Sequence, residues 1–494
     1  MNGILILATA FILLEAKKTD PGVIGRLTLK GLEYGWKVGL EELQKQLPTI
    51  HIPDIDGTVK VGVIGNVKYY VTKLKIENLD FSDSNLTYCP DTGINVAIRQ
   101  GQFQIVGHIK IHSWLFSGSS QMKLSVWGFS VAGSVGITCD DLGHGAVWDA
   151  GCRSDVDQVD LSFSGGSGWI FRMFKGVMKK HIRSSINSQI CPFFEKGVQQ
   201  MANKLSTLPV SIPVDSVSDV EVDLVGPPLI TSKSFDLLVK ADFVAQSQHL
   251  TPYQPEKLVL PDVDSRMLLV ALSQFSANSA GFVHYKAGFL KYNITDDMIP
   301  KISPIQLSIE SLEIFAPELP SQYPDSPPLL LQISAHSAPT VTCLLDSLTV
   351  QASMDIEVFA MCPDRPSISL FQIQAGFLTG VDIVLSEETV GATISVKNFS
   401  LSLVHSSVGT VKVDAIQKTL IFLLPYLNGH LKNIIPLPPN MLRLQNPVVR
   451  VMQGYVVIMT DLEATLPSLN FSKLFEGQRF KLFGSQELQL SVAE

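Results

Sequence analysis

Charge is scarce in this chain of 494 residues: Asp, Glu, Lys and Arg make up 17% of it, against 46% hydrophobic residues and a mean hydropathy of +0.24. That balance excludes an intrinsically disordered polymer, and the length points to two or more domains. Either the core is unusually large, or apolar surface lines something other than a core. A basic excess is missing as well. Lys17 to Gln248 holds 23 basic and 23 acidic residues, and His249 to Glu494 holds 15 and 22, a net of −7 in the second part. Neither half is a nucleic-acid binder. Long apolar runs are lacking after the first residues, where Ile4 to Leu14, about eleven residues, is too short to span a bilayer and suits the core of a signal peptide covering 1–16. No Lys or Arg precedes that run; the alternative is a cytosolic protein whose first strand is buried.

Cysteine is sparse. Six (Cys89, Cys139, Cys152, Cys191, Cys343, Cys362) cannot form a small-domain disulfide scaffold, although one to three bridges in an oxidising compartment fit. Catalytic and metal signatures are absent too. Gly165-Gly-Ser-Gly-Trp169 fails as a nucleophile elbow because its fifth residue is Trp, and it reads as a turn before a helix. The ten histidines are scattered; His108 and His112, four apart, sit in a strand pattern where they do not form a metal pair. The expectation is therefore a non-enzyme with no metal and no cofactor.

What is present is amphipathic helix and alternating strand. A helix from about Gly22 to Gln46 carries Leu29, Leu32, Trp36, Leu40 and Leu43 on one stripe. A second, from Trp169 to about Ile190, carries Ile170, Met173, Phe174, Val177, Met178, Ile182 and Ile186. A third, Val413–Ile435, carries Ile416, Leu420, Leu423, Leu424 and Leu427 and stops at Pro436. Phe103, Ile105, Ile109 and Ile111 share one strand face, and Leu348 to Val358 alternates without a break. Gly118-Ser119 marks the turn to a strand at Met122–Ile137. The stretch 249–264, with three prolines and no helical period, reads as a linker between 17–248 and 265–466, each an assembly of strands and long helices, with 467–494 as an extension. Sequons stand at Asn85, Asn293, Asn398 and Asn470. The fold class is α+β and strand-dominated.

Several of these segments resemble one lipid-binding family, that of bactericidal/permeability-increasing protein, lipopolysaccharide-binding protein and the plasma lipid transfer proteins. Asp20-Pro-Gly-Val-Ile-Gly-Arg-Leu-Thr-Leu-Lys-Gly-Leu-Glu-Tyr34 is similar to its mature start, and His51-Ile-Pro-Asp-Ile-Asp56 to the turn that follows. Gly168-Trp-Ile-Phe and Asn187-Ser-Gln-Ile-Cys191 match its second helix; Leu208-Pro-Val, Gly226-Pro-Pro, Asp296-Asp-Met-Ile-Pro300 and Phe422–Pro439 also fit.

The resemblance implies a boomerang-shaped pair of barrels, each a twisted antiparallel sheet around long helices, joined by a central antiparallel sheet, with an apolar lipid pocket under each barrel. It implies a Cys152–Cys191 disulfide and a free Cys139; a Cys343–Cys362 pair stays open. The helix stripes named above are then the expected pocket lining, although most of those side chains would simply pack the core and about a third would touch lipid. The expected cargo is a phospholipid or related amphipath in a secreted protein, and the alternatives are lipopolysaccharide in antibacterial immunity and a lipid hydrolase. Endotoxin-binding members carry cations on strands at the first barrel's tip. Here Gly107–Ser117 offers His108, Lys110 and His112, with Lys123 on the next strand, so anion contact is weaker than in that pattern. Trp114, Leu115 and Phe116 offer a membrane or lipoprotein-surface contact instead, or a hairpin tip tucked against its neighbour. The extension from about 467 is a pocket-closing helix or a disordered tail.

Overall fold

The computed structural model describes residues 19–464 apart from 47–51, 53, 62–63, 166–167, 246–250, 263, 300–305, 363–365, 388, 431 and 437–441; the side chains of 46, 61, 168–170, 172–174, 177, 422–430, 432–436, 442 and 464 lie outside the description as well. The segments expected to be a leader (1–16) and an extension (467–494), and Asn470 with them, fall outside it. The chain opens with strand β1 (Val23–Thr28) and turns directly into helix α1 (Leu29–Gln46). Six strands follow: β2 (Ile55–Val61), β3 (Gly65–Asp80), β4 (Ser84–Cys89), β5 (Gly93–His112), β6 (Ser117–Cys139) and β7 (Gly145–Ser164). Helix α2 (Gly168–Leu205) then runs for 38 residues along the inside of that sheet.

The first sheet is antiparallel in the order β2-β3-β5-β6-β7, with β4 pairing β5. Alternation decides which side is inside: Val67, Tyr69 and Val71 of β3, Ile109 and Ile111 of β5, Met122, Leu124 and Val126 of β6, and Val156, Val159 and Leu161 of β7 are all buried. Phe171, Met178 and Ile182 of α2 close on them. Register shifts between Thr72 and Lys75, between Ile98 and Gly101, and between Ser134 and Val135 bend the strands into a curl.

A six-stranded central sheet joins the halves in the order Leu229–Ile230, Ser234–Val239, β1, Leu268–Ser273, Tyr455–Ala464, Leu442–Met452. β1 sits between a strand of the first half and a strand of the second, pairing Val23 with both Val239 and Leu272. Arg26 fixes the register with two hydrogen bonds to the Asp236 carboxylate, both 2.7 Å. The strand-to-helix step recurs at Leu268–Ser273, where the Ser273 hydroxyl caps helix α3 (Gln274–Lys286) by accepting the Phe275 N–H. The second barrel sheet runs Lys291–Thr295, Leu329–Ala335, Ser347–Ala360, Ile368–Leu385, Thr389–Ser406, Lys432–Pro436, with helix α4 (Val413–His430) against it. This is the α+β pair of curled antiparallel sheets joined by a central sheet.

Four local expectations need correction. The first helix begins at Leu29, not Gly22, because Val23–Thr28 gains strand partners on both sides that no isolated helix pattern reveals. The second continues through Pro192 to Leu205, where packing along β7 outweighs the missing proline N–H. The third stops at His430, and Ile434 and Ile435 instead pair with Gly391 and Val390. Gly118-Ser119 is already strand; the β5–β6 turn is Ser113–Phe116, closed by the Ser113 hydroxyl accepting the N–H groups of Leu115 and Phe116.

Candidate functional site

Between the first sheet and α2 the protein leaves a cavity of about 410 Å³, within the range of about 300–1,000 Å³ over which pockets take small molecules. Its walls are Leu74, Ile76 and Leu79 of β3, Ile98, Phe103 and Ile105 of β5, Met122, Leu124 and Phe129 of β6, and Ile182, Ile186 and Ile190 of α2, with Ile52, Ile55, Phe81 and Phe193 completing them. Phe129 stacks on Phe81 and meets Phe103 edge to face, which fixes one end of the wall. Ser185 and Gln189 are the polar side chains of the lining, and the Gln189 amide donates to the Ser185 carbonyl of its own helix at 2.8 Å. With so few polar groups aimed inward, the cavity can shelter hydrocarbon and has nothing with which to perform chemistry.

The lining turn of α2 is held from outside. Cys191 is disulfide-bonded to Cys152 of β7. The Ser154 hydroxyl reaches the Asn187 carbonyl at 3.2 Å. Farther along, Lys175 at 3.0 Å and Lys179 both meet Asp160 of β7. Burial opposes the charge on Asp160, yet the two lysines keep its carboxyl below the usual range.

The helix stripes divide unequally between core and cavity. Of the α2 residues expected there, Ile182 lines the cavity and Met178 is buried in the core; the side chains of Ile170, Phe174 and Val177 lie outside the described residues. The expectation for α1 is corrected. Leu29 and Leu32 pack with Tyr88 and Ile230 in a separate cluster, and the Trp36 indole donates to the Ser84 hydroxyl at 2.9 Å. Leu40 borders a small neighbouring cleft that shares Leu79 and Phe81 with the main one, and Leu43 is half-buried outside the lining. In the second barrel Ile416 packs on a core around Ile309, Leu319 and Leu370, and Leu420 is half-buried; the side chains of Leu423, Leu424 and Leu427 lie outside the described residues. Most of the lining thus comes from strands. The alternation at Phe103 and Ile105 was the signal for it.

The outer face of the same sheet is cationic. His108, Lys110 and His112 of β5 are exposed, with Ile109 and Ile111 between them turned inward. The bulge after Thr72, with Lys73 at a positive φ of 56°, brings Lys73 and Lys75 of β3 beside His108, and Lys123 joins from β6. Lys123 pairs with Glu77 at 3.4 Å. Lys68 stands opposite His112 and Tyr70 opposite Lys110. Strand alternation in the sequence places Lys110 and Lys123 on this face but not the β3 lysines, because the bulge that recruits them is invisible in one dimension. At the tip Trp114 is 76% and Leu115 60% exposed. Phe116, expected to share that contact, turns inward and packs on the core instead. The Trp114 indole N–H donates to the Ile64 carbonyl at 2.6 Å.

Comparison with known proteins agrees with this geometry. The N-terminal domain model of the LBP / BPI / CETP family matches residues 31–201, and its C-terminal domain model matches 213–464. The chain belongs to the LBP/BPI/CETP family. A bactericidal permeability-increasing protein of Sebastes schlegelii is 30% identical over 90% of this chain and 96% of its own length. The lipopolysaccharide-binding protein of Homo sapiens is 27% identical over 86% and 89%. A crystal structure of lipopolysaccharide binding protein superposes with a TM-score of 0.54, covering 90% of this chain and all of that one at 24% identity. Members of the LBP/BPI/CETP family are lipid- and lipopolysaccharide-binding proteins, not enzymes, and the hydrolase reading is set aside.

Within this family fold the remaining cysteines are free thiols. The Cys343–Cys362 pair left open by the sequence is not formed, and Cys89 and Cys139 are unpaired too. Burial, with Glu256 nearby, pushes the Cys343 thiol up to about 11. Asn85, Asn293 and Asn398 lie exposed on strands. No helix among the described residues is long and apolar enough to cross a membrane, and no group of metal-ligating side chains occurs among them.

Proposed function

We propose that this LBP/BPI/CETP family member is a secreted protein that takes the acyl chains of a phospholipid-like amphipath into the first-barrel cavity, to sequester or transfer it. The observation that carries the reading is the 410 Å³ apolar void itself, walled by strand and helix side chains and nearly free of polar groups. A buried methylene gains about 0.8 kcal/mol, so a sixteen-carbon chain gains roughly 12 kcal/mol before ordering costs. No hydrogen bond to a headgroup is needed for that affinity. Secretion is part of the same proposal, with residues 1–16 as the leader, sugars at Asn85, Asn293, Asn398 and Asn470, and the Cys152–Cys191 bridge formed in an oxidising compartment. Native mass spectrometry of the purified protein is expected to show bound phospholipid. A lipid-free protein that also extracts nothing from vesicles sinks the reading.

The lysine face favours a second reading, contact with anionic lipid, including the phosphates of lipopolysaccharide, which names several relatives. Lys73, Lys75 and Lys110 form no ion pair among the described residues. Titration against lipid A at rising salt separates the two readings: contact led by these charges weakens as screening grows, and acyl capture does not.

A further inference from the structure

Two histidines stand inside the lysine face. His108 lines the same shallow depressions as Lys73, Lys75, Lys110 and Lys123. Thr72 is opposite it on β3 and Gln121 on β6, and Ser162 and Ser164 of β7 form the far wall. His112, nearer the tip, is opposite Lys68 of β3 and Ser117 of β6. The acids in reach are Glu77, already held by Lys123, Asp54, whose carboxylate accepts the Lys73 backbone N–H at 3.2 Å, and Asp56 of β2, which stands opposite Tyr70. His108 thus stands among lysines and His112 opposite Lys68, and none of these carboxylates pairs with either imidazole among the described residues.

Imidazole is the side chain that changes charge between about pH 5 and 8. We propose that this face is an acid-strengthened contact for anionic phospholipid surfaces, in which His108 and His112 add charge to a fixed set of lysines as the pH falls. The proposal rests on the reading that the tip meets anionic lipid, and it names that contact's regulation. Trp114 and Leu115, projecting from the same hairpin, supply the part of the binding that pH leaves alone. The lysines hold the protein near the surface at neutral pH, and each cation near an anionic leaflet adds an independent increment. Two further charges are worth on the order of 20-fold in affinity at moderate ionic strength. An exposed cluster of this kind is also screened by salt, so the acid gain must shrink as salt rises.

The test is sedimentation of the full chain with mixed phosphatidylcholine–phosphatidylglycerol vesicles, and with phosphatidylcholine alone, at about pH 7.5 and about pH 5.5. Wild-type protein is expected to bind the anionic vesicles on the order of 20-fold more tightly at the lower pH. The His108→Gln, His112→Gln double variant should match it at neutral pH and lose most of the acid gain. Lys110→Gln should weaken binding at both pH values and keep the ratio. If the double variant retains the full acid gain, the gain comes from carboxylates elsewhere on a chain of net charge −8, and the proposal is overturned. Wild-type binding that does not change with pH overturns it as well. Absence of anionic-vesicle binding at either pH points to failure of the tip reading itself.

Discussion

Ile105→Trp separates a void from a packed core. Ile105 is half-buried on β5 and faces the 410 Å³ cavity, so a larger ring there has space to enter. The added indole displaces roughly four methylenes of a guest chain; at about 0.8 kcal/mol each that is about 3 kcal/mol. The expected loss of lipid affinity is near 150-fold, at about 1.4 kcal/mol per decade. Stability should move differently. Added volume in a filled core costs about 1–3 kcal/mol, whereas the delipidated Ile105→Trp protein should unfold at the same denaturant concentration as wild type or a higher one. Leu161→Trp is the contrast: Leu161 lies on β7 in the same core with 0% exposure, and the extra ring has nowhere to go. Urea unfolding of the delipidated proteins, paired with titration of a fluorescent phospholipid, measures both effects. Equal destabilisation by the two substitutions would mean that the cavity is closed in solution. Unchanged lipid affinity in Ile105→Trp would mean that the guest sits elsewhere.

Further outcomes follow from the other contacts. Cys152→Ser should cost about 2–5 kcal/mol of stability and lower the secreted yield, because the bridge holds the lining turn of α2; a monomeric variant of normal yield and melting temperature contradicts this. The Lys73→Gln, Lys75→Gln, Lys110→Gln triple variant should lose on the order of 100-fold in binding to anionic vesicles at low salt, at about 1 kcal/mol per charge, with neutral vesicles unaffected; equal losses on both would point to a folding defect. His284 of α3 donates to the Ala280 carbonyl at 2.7 Å and to Asp215 at 2.6 Å, an arrangement that needs the protonated ring. Burial pulls its pKa down, but the carbonyl and the carboxylate outweigh that and raise it. Asp215, bonded by the Val217 N–H and by His284, falls to about 2. The raised group stabilises fully below its unfolded value of about 6.5 and fades as the pH climbs through its folded one, while the depressed group stabilises above about 3.9 and fades toward about 2. His284→Gln should therefore cost more at about pH 5.5 than at about pH 9, and denaturant curves with equal losses at both would refute the pairing.

The sequence showed that three segments are amphipathic helices and which strand residues alternate inward. It could not show where an inward face goes unfilled. Phe103 and Ile109 carry the same signal in the chain, yet Phe103 borders the void and Ile109 has no exposure, packed in the core that Phe171, Met178 and Ile182 of α2 complete. The α1 stripe is as regular as that of α2, but its neighbours are β4 and the central sheet, a fact of topology. The lysine face was half legible for a similar reason. Lys110 and Lys123 fall on adjacent strands by simple alternation, whereas Lys73 and Lys75 reach the same face through a register shift. Val23–Thr28 reads as helical because its apolar residues, Val23, Ile24 and Leu27, run on into α1; two strands far along the chain decide otherwise.

β1 is clamped between Ser234–Val239 and Leu268–Ser273, and this has a practical consequence for anyone cutting the molecule. A protease nick between Tyr253 and Lys257 would leave the two fragments interlocked, with Arg26 still gripping both Asp236 and the Pro261 carbonyl. Producing the N-terminal piece by itself is a different matter. Stripped of Leu268–Ser273, β1 would present a bare, hungry edge to every other copy in the tube, and such fragments should clump unless a short mimic of that strand is supplied.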